Sequence, residues 1–102
     1  MADWFVYMIR CRSNALYTGI TTDVEKRTAE HRSGNRRSAK YIRFSAAVER
    51  VYQVKLEDRR LAARVEYRIK QLTKADKETI VREAFSGPRL LLFLGLGLIP
   101  DI

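Results

Sequence analysis

Trp4-Phe5-Val6-Tyr7-Met8-Ile9 is continuously apolar and rich in aromatic and branched residues, which predicts a strand buried on both faces. Arg12-Ser13-Asn14 is a turn signal, and Ala15 to Ile20 follows as a second strand, so the two read as a hairpin. Gly19 inside that strand predicts a bulge or a close approach of another group to the backbone. Thr22-x-x-Glu25 has the spacing of a capping box and opens a helix from about Asp23 to Arg32. Ser33-Gly34 ends it, and a basic loop runs to about Ser45. Val48 to Leu56 predicts a third strand, although Glu49 and Arg50 blur its alternation. Asp58 caps a long helix to about Leu72 with the stripe Leu61, Val65, Ile69 and Leu72. Thr73-x-x-Asp76 opens another helix that turns Ile80, Val81, Ala84 and Phe85 inward, until Gly87-Pro88 breaks it.

The order ββα-β-αα predicts a small α+β domain, a three-stranded antiparallel sheet flanked by helices. There is no internal repeat, low-complexity tract or linker, and 102 residues fit one domain. Residues 1–87 read as its body and 88–102 as an apolar tail docked on it. The run Leu90 to Ile99 carries too many large apolar side chains to leave in water. Docking on the chain's own helices comes first, a weak homodimer second. Gly95 and Gly97 argue against one long helix there, each costing nearly 1 kcal/mol relative to alanine. As a helix this run would span about 15 Å, half of a hydrocarbon core of roughly 30 Å, so no membrane crossing is expected. Met1-Ala2-Asp3 lacks the basic and apolar regions of a signal peptide, and a cytoplasmic protein is expected.

Composition sharpens this picture. Lys and Arg number 20 against 12 Asp and Glu, a formal charge of +8, and Arg outnumbers Lys 14 to 6. Lys26, Arg27, Arg32, Arg36, Arg37, Lys40 and Arg43 are opposed only by Glu30, so the segment 26–43 holds +6. Such clustering is the footprint of a polyanion binder, and arginine's planar fork suits phosphate. Cys11 and His31 are each the only residue of their type. That excludes an intramolecular disulfide and a Cys/His zinc site, and leaves only hard cations on carboxylates.

The first predicted helix is unusual, because its inward spacing reads Val24, Arg27, Thr28 and His31. Such a face either lines a cleft or docks loosely. Arg27 also has an ordinary reading as a partner of Glu30, and His31 as a satisfied boundary histidine. Glu66 flanks the stripe of the long helix, where it either pairs with Lys70 or presents a carboxylate to a divalent cation. Tyr7 and Tyr17 lie on paired strands, positions that usually hold core aromatics with a hydroxyl at the rim.

Taken together, Val6-Tyr7-Met8-Ile9-Arg10-Cys11, Leu16-Tyr17-Thr18-Gly19-Ile20-Thr21-Thr22-Asp23, Lys26-Arg27, Ala29-Glu30-His31 and Glu66-x-x-Ile69-Lys70 resemble the GIY-YIG nuclease superfamily, in particular its short single-domain branch. The resemblance runs from about Trp4 to Lys77. Phe5 stands where the first triplet of the family name has glycine, although Tyr7 is kept. Ile20 stands where some branches carry lysine after the second triplet, and His31 is the substitute that the resemblance to His-bearing members implies.

The resemblance implies a metal-dependent endonuclease acting on nucleic acid, DNA ahead of RNA, with little sequence specificity. Tyr7 or Tyr17 would accept the proton of the attacking water, provided Arg27 or a hydrogen bond to His31 lowers a phenol pKa of about 10. Arg27 would hold the non-bridging oxygens, and Glu66 one Mg²⁺ or Mn²⁺. Lys26, Arg32, Arg36, Arg37, Lys40 and Arg43 would track the backbone. Two other classes stay open: a non-catalytic nucleic-acid-binding module on the same scaffold, and an interaction protein built around the tail.

Overall fold

The computed structural model describes residues 2–33 and 47–97. Strand β1 (Trp4–Cys11) and strand β2 (Leu16–Thr21) form the expected hairpin, and helix α1 (Val24–Ser33) follows. Strand β3 (Ala47–Leu56) precedes helices α2 (Arg59–Lys70), α3 (Lys74–Glu83) and α4 (Gly87–Phe93). The sheet order is β2-β1-β3, antiparallel throughout. The α+β class and the three-stranded antiparallel sheet are therefore as expected from the sequence.

β1 is the central strand, which explains why its apolar run does not alternate. Val6 and Met8 face one side and pack with Tyr52 and Leu56 of β3, Ala62, Val65 and Ile69 of α2, and Ile80 of α3. Tyr7, Ile9 and Cys11 face the other side with Val24 of α1, rimmed by Phe5 and Tyr17. Arg10 locks the end of β1 to α3 through a two-pronged ion pair with Glu78, at 2.8 and 2.7 Å.

Local chemistry sets the boundaries. The hairpin loop closes with Asn14 in a left-handed conformation (φ 73°), which its short polar side chain tolerates. Asp23, one residue later than the expected cap, accepts from the Lys26 N–H at 3.0 Å and starts α1. Asp58 and Thr73 cap α2 and α3 as predicted. The β1–β3 register shifts twice, between Met8 and Ile9 and between Arg10 and Cys11. Each shift places one extra residue on β3, which is why Glu49 and Arg50 interrupt its alternation.

The tail departs from its expected form. Gly87-Pro88 is not where α3 ends: the helix stops at Glu83 with Ala84, left-handed (φ 49°) and exposed, as its cap, while Ser86 accepts from the Arg89 N–H and Pro88 sits in the first turn of α4. The element order thus gains a helix, ββα-β-ααα among the described residues. Leu90 and Leu94 are buried in the same cluster as Val6 and Met8, and Gly95 (φ 74°) follows the helix end. Leu98 and Ile99 lie outside the described residues. Within the described residues no helix is long and apolar enough to cross a membrane.

Candidate active site

The second face of β1 meets α1, and there the chemistry collects. Tyr7 and Gly19 are register partners, as are Ile9 and Tyr17, so both tyrosines stand on one face of the hairpin. Gly19 provides the room that the sequence suggested. A Cβ there would lie 2.5 Å from Tyr7 Oη and 2.7 Å from Cζ, so any other residue would push the Tyr7 ring out of place.

α1 does turn its polar face inward. Val24, Thr28 and His31 are buried, and Arg27 is half-buried on the same face. Tyr7 Oη lies 2.9 Å from His31 Nε2. The Tyr17 ring lies edge-on to His31 at 5.2 Å and 6.4 Å from the Tyr7 ring. Arg27 makes the anticipated ion pair with Glu30 at 3.0 Å, and its guanidinium also lies against the Tyr7 phenol. The ordinary and the functional readings of Arg27 therefore coexist in one side chain.

The electrostatics differ from the expectation for Tyr7. Burial, with Tyr17 adding to it, holds the Tyr7 phenol above the ordinary tyrosine range, and Arg27 offsets this only in part. The phenol is thus raised, not lowered, and stays protonated at neutral pH. His31 moves the other way: burial first, then the Arg27 charge, push it down to about 4. A neutral imidazole with its proton on Nδ1 accepts the phenol's hydrogen bond at Nε2.

Glu66 reaches the site from α2, close enough for its charge to be felt at Tyr7. Its carboxylate, about a quarter exposed, lies 3.4 Å from Lys70 Nζ, and that ammonium sits 5.7 Å from the Tyr17 ring centre. Lys70 thus joins the site. Its signals in the sequence are the i,i+4 spacing to Glu66, which any surface helix pair shares, and its place in the phrase Glu66-x-x-Ile69-Lys70, neither of which marks it as a site residue. As a hard oxygen donor at the rim, Glu66 suits a cation such as Mg²⁺ or Mn²⁺ that keeps much of its water. No group of three or more His, Cys, Asp or Glu side chains gathers among the described residues, so the donor set fits one loosely held ion and not a caged pair.

Of the predicted backbone-tracking cations, Lys26 lines a groove of about 350 Å³ together with Thr21, Thr22, Asp23, Arg27 and Glu30. Arg32 is exposed near the end of α1. Arg36, Arg37, Lys40 and Arg43 lie outside the described residues. A second basic surface lies outside the run 26–43: α2 carries Arg59, Arg60, Arg64, Arg68 and Lys70 with Glu66 as its only acid. Spread over helical turns, these residues never form the contiguous run that marks 26–43.

Comparison with known proteins bears on this geometry. The profile described as the GIY-YIG catalytic domain matches residues 3–79. The UPF0213 protein YhbQ of Escherichia coli K12 is 48% identical over 91 residues, covering 89% of each chain. Its counterpart in Escherichia coli O157:H7 is 47% identical over the same length. The solution NMR structure of the UPF0213 protein BH0048 from Bacillus halodurans superposes with a TM-score of 0.52 at 34% identity, over 86% of this chain and 90% of that one.

Proposed function

This chain belongs to the GIY-YIG family, and on that premise we propose that it is a divalent-metal-dependent endonuclease that hydrolyses phosphodiester bonds in nucleic acid, DNA before RNA, without reading sequence closely. The observation that carries this reading is the Tyr7–His31 hydrogen bond, with Arg27 against the phenol and Glu66 at the rim. A buried phenol needs one hydrogen-bond partner, which His31 supplies, and the guanidinium and carboxylate gathered beside it go beyond what packing requires.

The residues divide the work as follows. Arg27 holds the non-bridging oxygens and stabilises the charge that builds on phosphorus. The attacking water gives its proton to Tyr7 Oη while Tyr7 passes its own to His31 Nε2, so the phenol need not ionise beforehand. Burial first and the Arg27 charge second make His31 a weak base in isolation, and the phosphodiester anion beside Arg27 offsets the second of these. Tyr17 walls the site and remains the alternative proton acceptor. Glu66 would hold the cation, which when bound supplies positive charge to the leaving oxygen. Lys26 and Arg32 extend the phosphate path, together with Arg36, Arg37, Lys40 and Arg43 of the basic stretch.

A non-catalytic binding module is the reading to be set against this one. It accounts for the charge and leaves Glu66 only as the partner of Lys70, without explaining a carboxylate at the site that repels nucleic acid unless a cation is bound. The deciding experiment is incubation of the purified chain with single-stranded, duplex and branched DNA and with RNA, in Mg²⁺, Mn²⁺ or chelator. Cleavage that appears with either ion and stops with chelator supports the nuclease. Binding without cleavage in any metal supports the module.

A further inference from the structure

The outer face of α2 has a composition that neither the core nor the candidate site uses. Tyr67 is 64% exposed, the most exposed large apolar side chain among the described residues. On a helix its neighbours are three and four residues away, here Ala63, Arg64, Lys70 and Gln71, with Arg60 one turn beyond. All of these are exposed. Neither Arg60 nor Arg64 meets a carboxylate among the described residues, whereas Lys70 pairs with Glu66 and lies over Tyr17. The face is thus a basic strip with one aromatic at its centre, and Lys70 joins it to the rim of the site.

A membrane surface would need several apolar side chains on this face. Instead the apolar stripe of α2 (Ala62, Val65 and Ile69) is consumed by the core, and Tyr67 stands alone among cations. A lone exposed ring flanked by arginines matches how single-stranded nucleic acid is held, with a base stacked on the ring and phosphates on the charges. A regular duplex keeps its bases stacked on each other and offers Tyr67 none.

We propose that the outer face of α2 binds unpaired nucleotides, Tyr67 stacking on a base while Arg60 and Arg64 hold the adjoining phosphates. Resting on the nuclease reading, this makes the preferred substrate one with single-stranded nucleotides beside the cleaved bond. Lys70 lies one turn from both Tyr67 and Glu66, so it links the stacking face of α2 to the carboxylate that would hold the cation.

The test is binding of the full chain, in chelator so that nothing is cut, followed by fluorescence anisotropy. The probes are a labelled single strand of roughly a dozen nucleotides, the same strand in duplex, and the same strand with its bases removed over the central positions. Tyr67→Ala should weaken binding of the intact single strand about fivefold or more, and leave the duplex and the abasic strand within about twofold. Tyr67→Phe, which keeps the ring face, should bind the single strand as the wild type does. Arg64→Gln should lower the salt dependence for the single strand by about 0.7 in the log–log slope. Unchanged single-strand affinity in Tyr67→Ala, or an equal loss on the duplex, overturns the proposal. Cleavage in Mg²⁺ is scored separately. A wild type that stacks the strand but never cuts it keeps the surface and rejects the nuclease, and a wild type that cuts with Tyr67 indifferent does the reverse.

Discussion

Glu66→Ala and Arg27→Ala are each expected to lower metal-dependent cleavage by roughly 100-fold or more, the loss typical when one group that stabilises transition-state charge is removed. Single-turnover rates on a labelled oligonucleotide in Mg²⁺ would read the effect. The two variants should part company in binding. Arg27→Ala removes a phosphate contact and weakens affinity. Glu66→Ala removes a negative charge and frees Lys70, whose ammonium is held 3.4 Å from the carboxylate, so affinity in chelator should hold or rise. Both side chains are only partly buried, with about a quarter of each exposed, and melting curves would show whether the fold survives. Full cleavage by both variants would reject this active site.

The second large effect concerns stability. Leu90 is fully buried where α4 meets the cluster of Val6, Met8 and Ile80. Leu90→Ala should cost about 2–5 kcal/mol, and in a domain of this size that lowers the melting temperature by roughly 10 °C or more. Leu92 on the same helix is 42% exposed, and Leu92→Ala should change stability by less than about 1 kcal/mol. Calorimetry on the pair separates a helix that belongs to the core from one that lies on it. Specific activity per folded molecule should be retained by both variants, since Tyr7 and His31 occupy the other face of β1. Equal melting temperatures would mean that α4 contributes no burial.

Much of this was legible in the chain because short-range chemistry and long-range packing agree. Asp58 and Thr73 cap the helices they were expected to cap, and the hairpin follows from Arg12-Ser13-Asn14. The inward phase of Arg27, Thr28 and His31 could be read from their spacing alone. Other features depend on groups brought from elsewhere. Gly87-Pro88 opens a helix where a break was expected, and the preceding helix ends earlier at a left-handed Ala84, a non-glycine residue that gives no stop signal in the sequence. The extra residues of β3 arise from its pairing with β1, which no alternation within β3 records. The direction of the Tyr7 shift is set by burial between α1 and β2, and a count of nearby cations predicts the opposite sign. α2's basic face was hidden because helical periodicity scatters in sequence what it gathers in space.

The buried, uncharged state of His31 ties the whole molecule to the proton concentration around it. Its folded pKa of about 4 lies below the model-peptide value of 6.5, so between those pH values the unfolded chain takes up a proton that the folded chain refuses. Stability from this group is therefore complete above about 6.5 and drains away as pH falls through 4, by a total on the order of 3 kcal/mol. The same proton, once bound, turns Nε2 from acceptor to donor and ends its service to the Tyr7 hydroxyl. Acidification should thus loosen the seat of α1 and silence the chemistry in one event. Melting temperatures at pH 4 and pH 7 should differ markedly less in His31→Gln than in the wild type.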